Sequence, residues 1–495
     1  MFEFVVLNDY DRRKLAVFQI LNSQNASCSI SYLAKEFKLS FPATQSLIQS
    51  FDRDMITLFD KSVWDESGRV NWHTKGYNYN IYFQFLIKCS LPYQFLLSIL
   101  TRPEQTIEDF LEENYISRST AIRALQTTKV CLDDLNVKLN FSKMKIFGEE
   151  SNIQLLFFYV IWLGSTGDDV LTNEELDLPY YNEKELLKDF DFFNFSHVHP
   201  KAIRLMLTIM KIRSLQGYEL DEFEGNELIY FDANPVLQQY FSQFIKDPYQ
   251  IIYHINFLKY VFVFSFYYAS PVDSRLTILV DFYQNLEKRE QQFHRFLIEF
   301  NSFYSKKILP ENLTEEEELL IRANLFSTLF SHYTNGGKLP KFYGFDGVSS
   351  YSETPGYQKL IEILGHYFEQ YFQKTSFFIF KDRKKELLED LSFILYPYFQ
   401  KKIKDRRVKV AIIPMINQKI LQNIVLFLSQ LQFVDYELSV TDHSEIDLFI
   451  TSFSEILPST TKPCFIVELT DESNYLSELF NWLWDMYLNN LAPEM

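Results

Sequence analysis

The sequence predicts a multidomain, mainly helical protein that closes in a small α/β domain built on a parallel sheet. Three observations carry this. Up to about residue 405, apolar residues recur at spacings of three and four, and proline is sparse, 16 in 495 residues. Beyond that point the runs 408–415 (VKVAIIPM), 436–442 (YELSVTD), 447–453 (DLFITSF) and 463–469 (PCFIVEL) are short and β-branched or aromatic, with helical segments between them. The charge is also uneven: residues 1–165 carry 17 Lys/Arg and 18 Asp/Glu of the chain's 48 and 65. The net charge of −17 therefore lies almost wholly behind the first third.

The first third holds two winged-helix candidates. In the first, a short helix with Leu33, Ala34 and Phe37 meets a tight turn at Leu39–Ser40. Ser40 is placed to N-cap the next helix and Pro42 fits its first turn. That helix packs through Thr44, Leu47, Ile48 and Phe51 and presents Phe41, Gln45, Ser46 and Gln49. It has no cation before Arg53, which is thin for a phosphate-contacting helix.

The second candidate is stronger. A helix ends before Pro103, and another over about 106–114 buries Ile107, Phe110 and Leu111. Tyr115–Ile116 turn the chain and Ser117 caps a third helix. On a wheel of about 100° per residue, Arg118, Ser119, Ile122, Arg123 and Gln126 fall within an arc of roughly 140°. Ala121, Ala124, Leu125 and Thr128 lie on the other side. Guanidinium, hydroxyl and amide groups on one face are the groups that bond phosphates and base edges in a major groove. A wing follows. Val137, Leu139 and Phe141 alternate with Lys138 and Asn140, and Met144 and Ile146 alternate with Lys143 and Lys145. That period of two gives a hairpin with one apolar face and one lysine face. A near-neutral front on an acidic body is the charge balance of a DNA-binding end on a regulatory chain.

Other classes lack their residues. Glycine numbers only 13, well below the usual ~7%. No GxGxxG or GxxxxGK[ST] is present, so the usual backbone cradles for phosphate are missing. HExxH and GxSxG are missing too, and no enzyme is expected. Cys28, Cys89, Cys131 and Cys464 are too scattered for a metal site or a disulfide framework, which suits a reducing cytoplasm. The HxH of His197 and His199 has no evident third or fourth ligand, so neither metal nor cofactor is expected. The start lacks the order of a signal peptide, and the longest apolar stretches are broken, Ile81–Leu100 by Lys88, Ser90 and Pro92. No membrane span is expected.

The stretches 113–125 (ENYISRSTAIRAL) and 135–162 (LNVKLNFSKMKIFGEESNIQLLFFYVIW) resemble the helix-turn-helix signature of the Mga/AtxA family, regulators of virulence and metabolism in Gram-positive bacteria. The resemblance implies winged helix 1 over 1–70, a Mga-type winged helix 2 over 71–165, helical phosphotransferase-regulation (PRD-like) domains over 166–287 and 288–405, and a domain similar to a sugar-transport IIB component (EIIB-like) over 406–495. It implies a transcription regulator that binds double-stranded promoter DNA through Ser117, Arg118, Ser119, Ile122, Arg123 and Gln126. Lys138, Lys143 and Lys145 would grip from the wing, and Gln45, Ser46 and Gln49 from the first unit.

The same resemblance implies control by a phosphocarrier protein of the sugar phosphotransferase system, which phosphorylates histidines. A neutral imidazole nitrogen accepts the phosphoryl group, adding about −2 charge. His197 and His199 precede Pro200, which suits a helix first turn, and Arg204 lies one turn on. His254 lies on a strongly apolar helix, where a core histidine is the plainer reading, and His366 is a further candidate. IIB components carry a phosphorylated cysteine directly after the first strand; here Pro414–Met415 follow it, and Cys464 lies in a later strand. The terminal domain is therefore expected to serve assembly. Its last helix carries Leu476, Leu479, Phe480, Trp482, Leu483, Trp484 and Tyr487, partly as core and partly as a homodimer interface. Two rivals stand beside this reading: an RNA-binding antiterminator with similar regulatory domains, and a phosphotransfer protein. The helical first 60 residues argue against the first, the missing cysteine against the second.

Overall fold

Serine, threonine and asparagine caps set out the N-terminal helices. In the computed structural model, the described residues are 3–24, 28–64, 69–70, 78–134, 136–165, 171, 200–220, 235–265, 275–286, 291–335, 355–374, 380–381, 384–402, 407–413, 418–431, 433–438, 446–452, 462–467 and 475–490. The chain divides into two compact units, residues 1–279 with 330–346 and residues 280–329 with 347–495.

The first unit begins with α1 (Glu3–Val6), α2 (Asp9–Gln24), α3 (Ile30–Glu36) and α4 (Phe41–Phe59). Ser29 caps α3 by accepting from Tyr32 N–H, and Ser40 caps α4, with Pro42 in its first turn. Thr44, Leu47, Ile48 and Phe51 are buried, as the spacing requires. The core of this part is aromatic: Phe18 of α2 stacks on Tyr82 at 5.7 Å, and Phe51 of α4 meets Tyr82 edge-on at 5.5 Å. A polar cluster is set beside it. Lys14 pairs with Asp54 at 2.9 Å, and the Tyr82 hydroxyl donates to the same carboxylate oxygen at 2.9 Å. Burial pushes the Tyr82 phenol far above its ordinary range, so it stays a donor. Among the described residues that follow α4, Val70 forms antiparallel bridges with both Cys28 and Trp64.

Next come α5 (Tyr79–Cys89), α6 (Leu91–Thr101), α7 (Ile107–Glu113), α8 (Arg118–Ala124), α9 (Gln126–Asp134), the hairpin strands β1 (Lys138–Asn140) and β2 (Lys145–Phe147), and α10 (Glu150–Ser165). Ser90 closes α5 and caps α6, and the two helices bend by 65° there. No single described helix is long and apolar enough to cross a membrane. α1 packs against α6 and α9, with Val5, Val6 and Leu7 buried and Thr128 Oγ1 donating to Val5 O at 2.6 Å. The chain thus begins by stapling itself to the second helix–turn–helix. α10 is apolar on nearly every side, the mark of a helix surrounded by protein. It packs on α5, α6, β2 and α11 (Pro200–Leu215). Gly164 permits the close approach to α6, because a Cβ there would lie 2.7 Å from the Tyr93 ring. Two further helices, α12 (Pro235–Phe241) and α13 (Pro248–Tyr260), pack together, and α13 runs into a π-helical turn at Val261–Ser265.

α14 (Arg275–Asn285) and α16 (Glu315–Asn335) each have residues in both units. The second unit also contains α15 (Gln291–Lys307), α17 (Pro355–Lys374) and α18 (Lys384–Lys402). Its helical core is again aromatic, Phe296 lying 5.1 Å from Tyr371 and 5.2 Å from Phe380. α18 ends at Lys402, with Lys401 paired to Glu317 at 3.1 Å, and Arg407 pairs with Asp435 at 3.0 Å. Then follow β3 (Val408–Ile412), α19 (Gln418–Ser429), β4 (Val434–Leu438), β5 (Leu448–Thr451), β6 (Cys464–Ile466) and α20 (Tyr475–Asn490). The four strands form a fully parallel sheet in the order β4-β3-β5-β6. Val408, Val410 and Ile412 face Ile424 and Leu428 of α19 and Leu479 and Leu483 of α20.

One boundary changes here, and the last helix divides into core and surface. β4 starts at Val434, ahead of the expected 436, because its pairing with β3 begins at Val408↔Val434. The wide apolar surface of the last helix is mostly core: Leu479 and Leu483 are fully buried, Leu476 and Tyr487 pack on the sheet cluster, and Trp484 packs on Phe433. Among its described side chains, Phe480 and Trp482 are the large apolar ones left exposed.

Candidate nucleic-acid interface

Two turns of the same construction position the two candidate reading helices. After α3, Phe37 closes the helix, Lys38 adopts φ +52°, and Leu39 N donates to Ala34 O at 3.0 Å before Ser40 caps α4. After α7, Asn114 closes the helix, Tyr115 adopts φ +53°, and Ile116 N donates to Leu111 O at 3.1 Å before Ser117 caps α8. The left-handed position is one that glycine fills most cheaply. This glycine-poor chain fills it with lysine and tyrosine, and the tyrosine is 96% exposed.

α7 is fixed by a capping box. Thr106 Oγ1 accepts from Asp109 N at 3.2 Å, and Thr106 N donates back to the Asp109 carboxylate at 3.0 Å. Hydrogen bonds from the Thr106 hydroxyl and backbone hold that carboxyl below the usual carboxylate range. The expected single reading helix is broken at Leu125 into α8 and α9, but its buried stripe runs through the break as Ala121, Leu125, Thr128 and Leu132. Ser119, Ile122, Arg123 and Gln126 are exposed, as the wheel requires. Ser117 Oγ is engaged in the cap, accepting from Thr120 N at 3.2 Å.

Arg118 is the best-anchored cation of the set. It donates to Glu108 of α7 at 3.3 Å and to Ser142 at the wing tip at 3.1 Å, with its guanidinium over the Phe141 ring. Half of its side chain remains exposed. Phe141 in turn stacks on Phe95 of α6 at 5.7 Å. One arginine therefore ties α8 to the wing, and one aromatic pair ties the wing to α6.

The wing is short. Its register sets Lys138 opposite Phe147, Leu139 opposite Ile146 and Asn140 opposite Lys145. Val137, Met144 and Ile146 are buried, while Lys138, Lys143 and Lys145 are exposed. Lys143 N donates to Asn140 Oδ1 at 3.0 Å, and Met144 turns at φ +46°. Lys129 of α9, exposed beside the wing, escaped the sequence reading. Extended one turn, the same wheel brings it within about 20° of Arg118. Ser142 and Phe141 gave no signal as partners of Arg118, since hairpin packing is non-local. In the first unit, Gln45, Ser46 and Gln49 are exposed on α4, and Ser46 O accepts from the Tyr10 hydroxyl at 3.4 Å.

The histidines divide sharply. His197 and His199 lie outside the described residues. His254 is 1% exposed, with Nδ1 on Gln250 O at 2.7 Å and Nε2 on Ser214 Oγ at 3.1 Å. Burial pulls its pKa down to about 4, so the ring is a neutral core group with both nitrogens in use. His366 is exposed on α17, its Nδ1 on Glu362 O at 2.8 Å. Donation from Nδ1 leaves the Nε2 lone pair available. Among the described residues, no group of three or more His, Cys, Asp or Glu is placed to hold a metal.

Residues 77–160 match the family model of the Mga helix-turn-helix domain. The match takes in α5 to α9, the wing and most of α10, and it supports a DNA-binding transcription regulator. Comparison with curated proteins gave no match.

Proposed function

We propose that the chain is a Mga-type transcription regulator that acts in the cytoplasm as a homodimer and not as an enzyme. One observation carries the reading: the segment matching the Mga helix-turn-helix domain presents an exposed Arg118–Gln126 face joined to a lysine-bearing wing. α8 lies in the major groove of promoter DNA. Arg118, Ser119, Arg123 and Gln126 meet base edges and phosphates, and Lys138, Lys143 and Lys145 hold the adjacent backbone. α4, with Gln45, Ser46 and Gln49, makes a second and weaker contact. The acidic remainder of the chain disfavours non-specific DNA. Competition between duplex DNA and hairpin RNA across a salt series tests this. Duplex is expected to win, with a log–log salt slope of about −4 to −5 for five phosphate contacts. Preference for the hairpin sinks the reading in favour of an RNA-binding antiterminator.

Control comes from the phosphotransferase phosphocarrier, through histidines of the helical region, with assembly through the C-terminal domain. His366 suits the acceptor role because Nε2 faces no hydrogen-bond partner among the described residues. A phosphate there adds about −2 charge on a helix that already carries Glu362 and Glu369. After reaction with phosphorylated carrier, mass spectrometry under acid-free conditions is expected to find phosphate on His366 and none on His254. Modification of His254 in the folded protein, or a carrier that labels no histidine, contradicts this.

A further inference from the structure

Ile122 is the odd member of the reading face. It sits mid-helix between Arg118 and Gln126, one turn away on either side, yet it is 47% exposed. The buried stripe of α8 and α9 runs through Ala121, Leu125 and Thr128, so folding does not call for a large apolar side chain at 122. A β-branched residue is also a modest helix former. Nor is it isolated. Ile122 lines a groove of about 510 Å³ between helix and wing, and across that groove Phe147 is 49% exposed. Lys129 and Lys138 stand on the same groove, both exposed. An apolar wall flanked by cations suits a polyanion that also carries an apolar group. In the major groove of duplex DNA, that group is the 5-methyl of thymine.

We propose that Ile122 is a specificity residue that packs on the 5-methyl group of a thymine in the bound site. The inference rests on the DNA-binding reading above and adds the base it selects. Arg118, tied to Glu108 and Ser142, fixes the angle at which α8 presents Ile122. Lys129 and Lys138 neutralise the strand beside it without reading sequence.

The test uses the full chain. Duplexes are selected from a random pool, and each thymine in the recovered site is replaced in turn by deoxyuridine, which removes only the methyl group. For wild type, one or two replacements are expected to weaken binding about fourfold, the worth of one buried methyl-sized group. For Ile122→Ala, which keeps a good helix former on α8, the same replacements are expected to change nothing. The salt slope should be equal for both proteins, since no phosphate contact is lost. Deoxyuridine costing wild type and variant equally at every position, or costing neither, overturns the inference and leaves the DNA-binding reading standing. Recovery of no duplex at all overturns both.

Discussion

Arg213→Ala is expected to destabilise the first unit by about 3–5 kcal/mol, seen as an early unfolding transition in calorimetry or urea. Arg213 Nε and Nη2 donate to the two oxygens of Glu150 at 2.8 and 2.6 Å. The two side chains are only 2% and 5% exposed. The guanidinium also lies 3.6 Å from the Tyr218 ring centroid. Gln154 donates to Glu150 Oε1 at 3.2 Å, and Gln216 Nε2 donates to Leu100 O at 2.7 Å. Removing the arginine leaves a buried carboxylate without its counter-charge, and Glu150→Ala leaves the guanidinium in the same state. The pair joins α10, which begins three residues after the wing, to α11 behind it. Glu150→Leu combined with Arg213→Met should restore most of the loss, because a packed apolar pair replaces a buried ion pair at little cost. Single variants within 1 kcal/mol of wild type would mean that water or a charge outside the pair already compensates Glu150.

This ion pair also marks the limit of what the sequence disclosed. Caps at Ser40 and Ser117 were legible because a hydroxyl before an apolar-periodic run has one efficient use. The wing was legible from its period of two, and the parallel sheet from four β-rich runs separated by helices. The partners of Arg213, Arg118 and Val5 were not, because each contact joins residues far apart in the chain, up to 123 positions for Thr128 and Val5. Glycine scarcity hid another feature. Lys38 and Tyr115 hold left-handed positions that glycine normally announces, so the two turns were legible from their caps but their left-handed backbone was not. The aromatic excess, by contrast, found its use in ring-on-ring cores in both units.

Arg118→Ala combined with Arg123→Ala is expected to lower affinity for promoter DNA by about 30-fold or more, on the scale of ~1–3 kcal/mol for each lost contact. The salt slope should fall by about two if both meet phosphate, and by less if either reads a base. The two arginines are not equivalent. Arg123 is exposed and pairs with no described residue, so Arg123→Lys should recover most of a phosphate contact. Arg118 uses its planar fork to reach Glu108 and Ser142 together while lying over Phe141. Lysine offers one compact charge and cannot make both bonds in that geometry, so Arg118→Lys should remain impaired. Its loss should also loosen the wing, seen as faster amide exchange around Ser142 in the free protein. A double variant that binds as tightly as wild type would remove α8 as the reading helix and pass that role to α4. Sequence selectivity would then follow Gln45, Ser46 and Gln49, whose amides and hydroxyl favour adenine-containing steps over guanine.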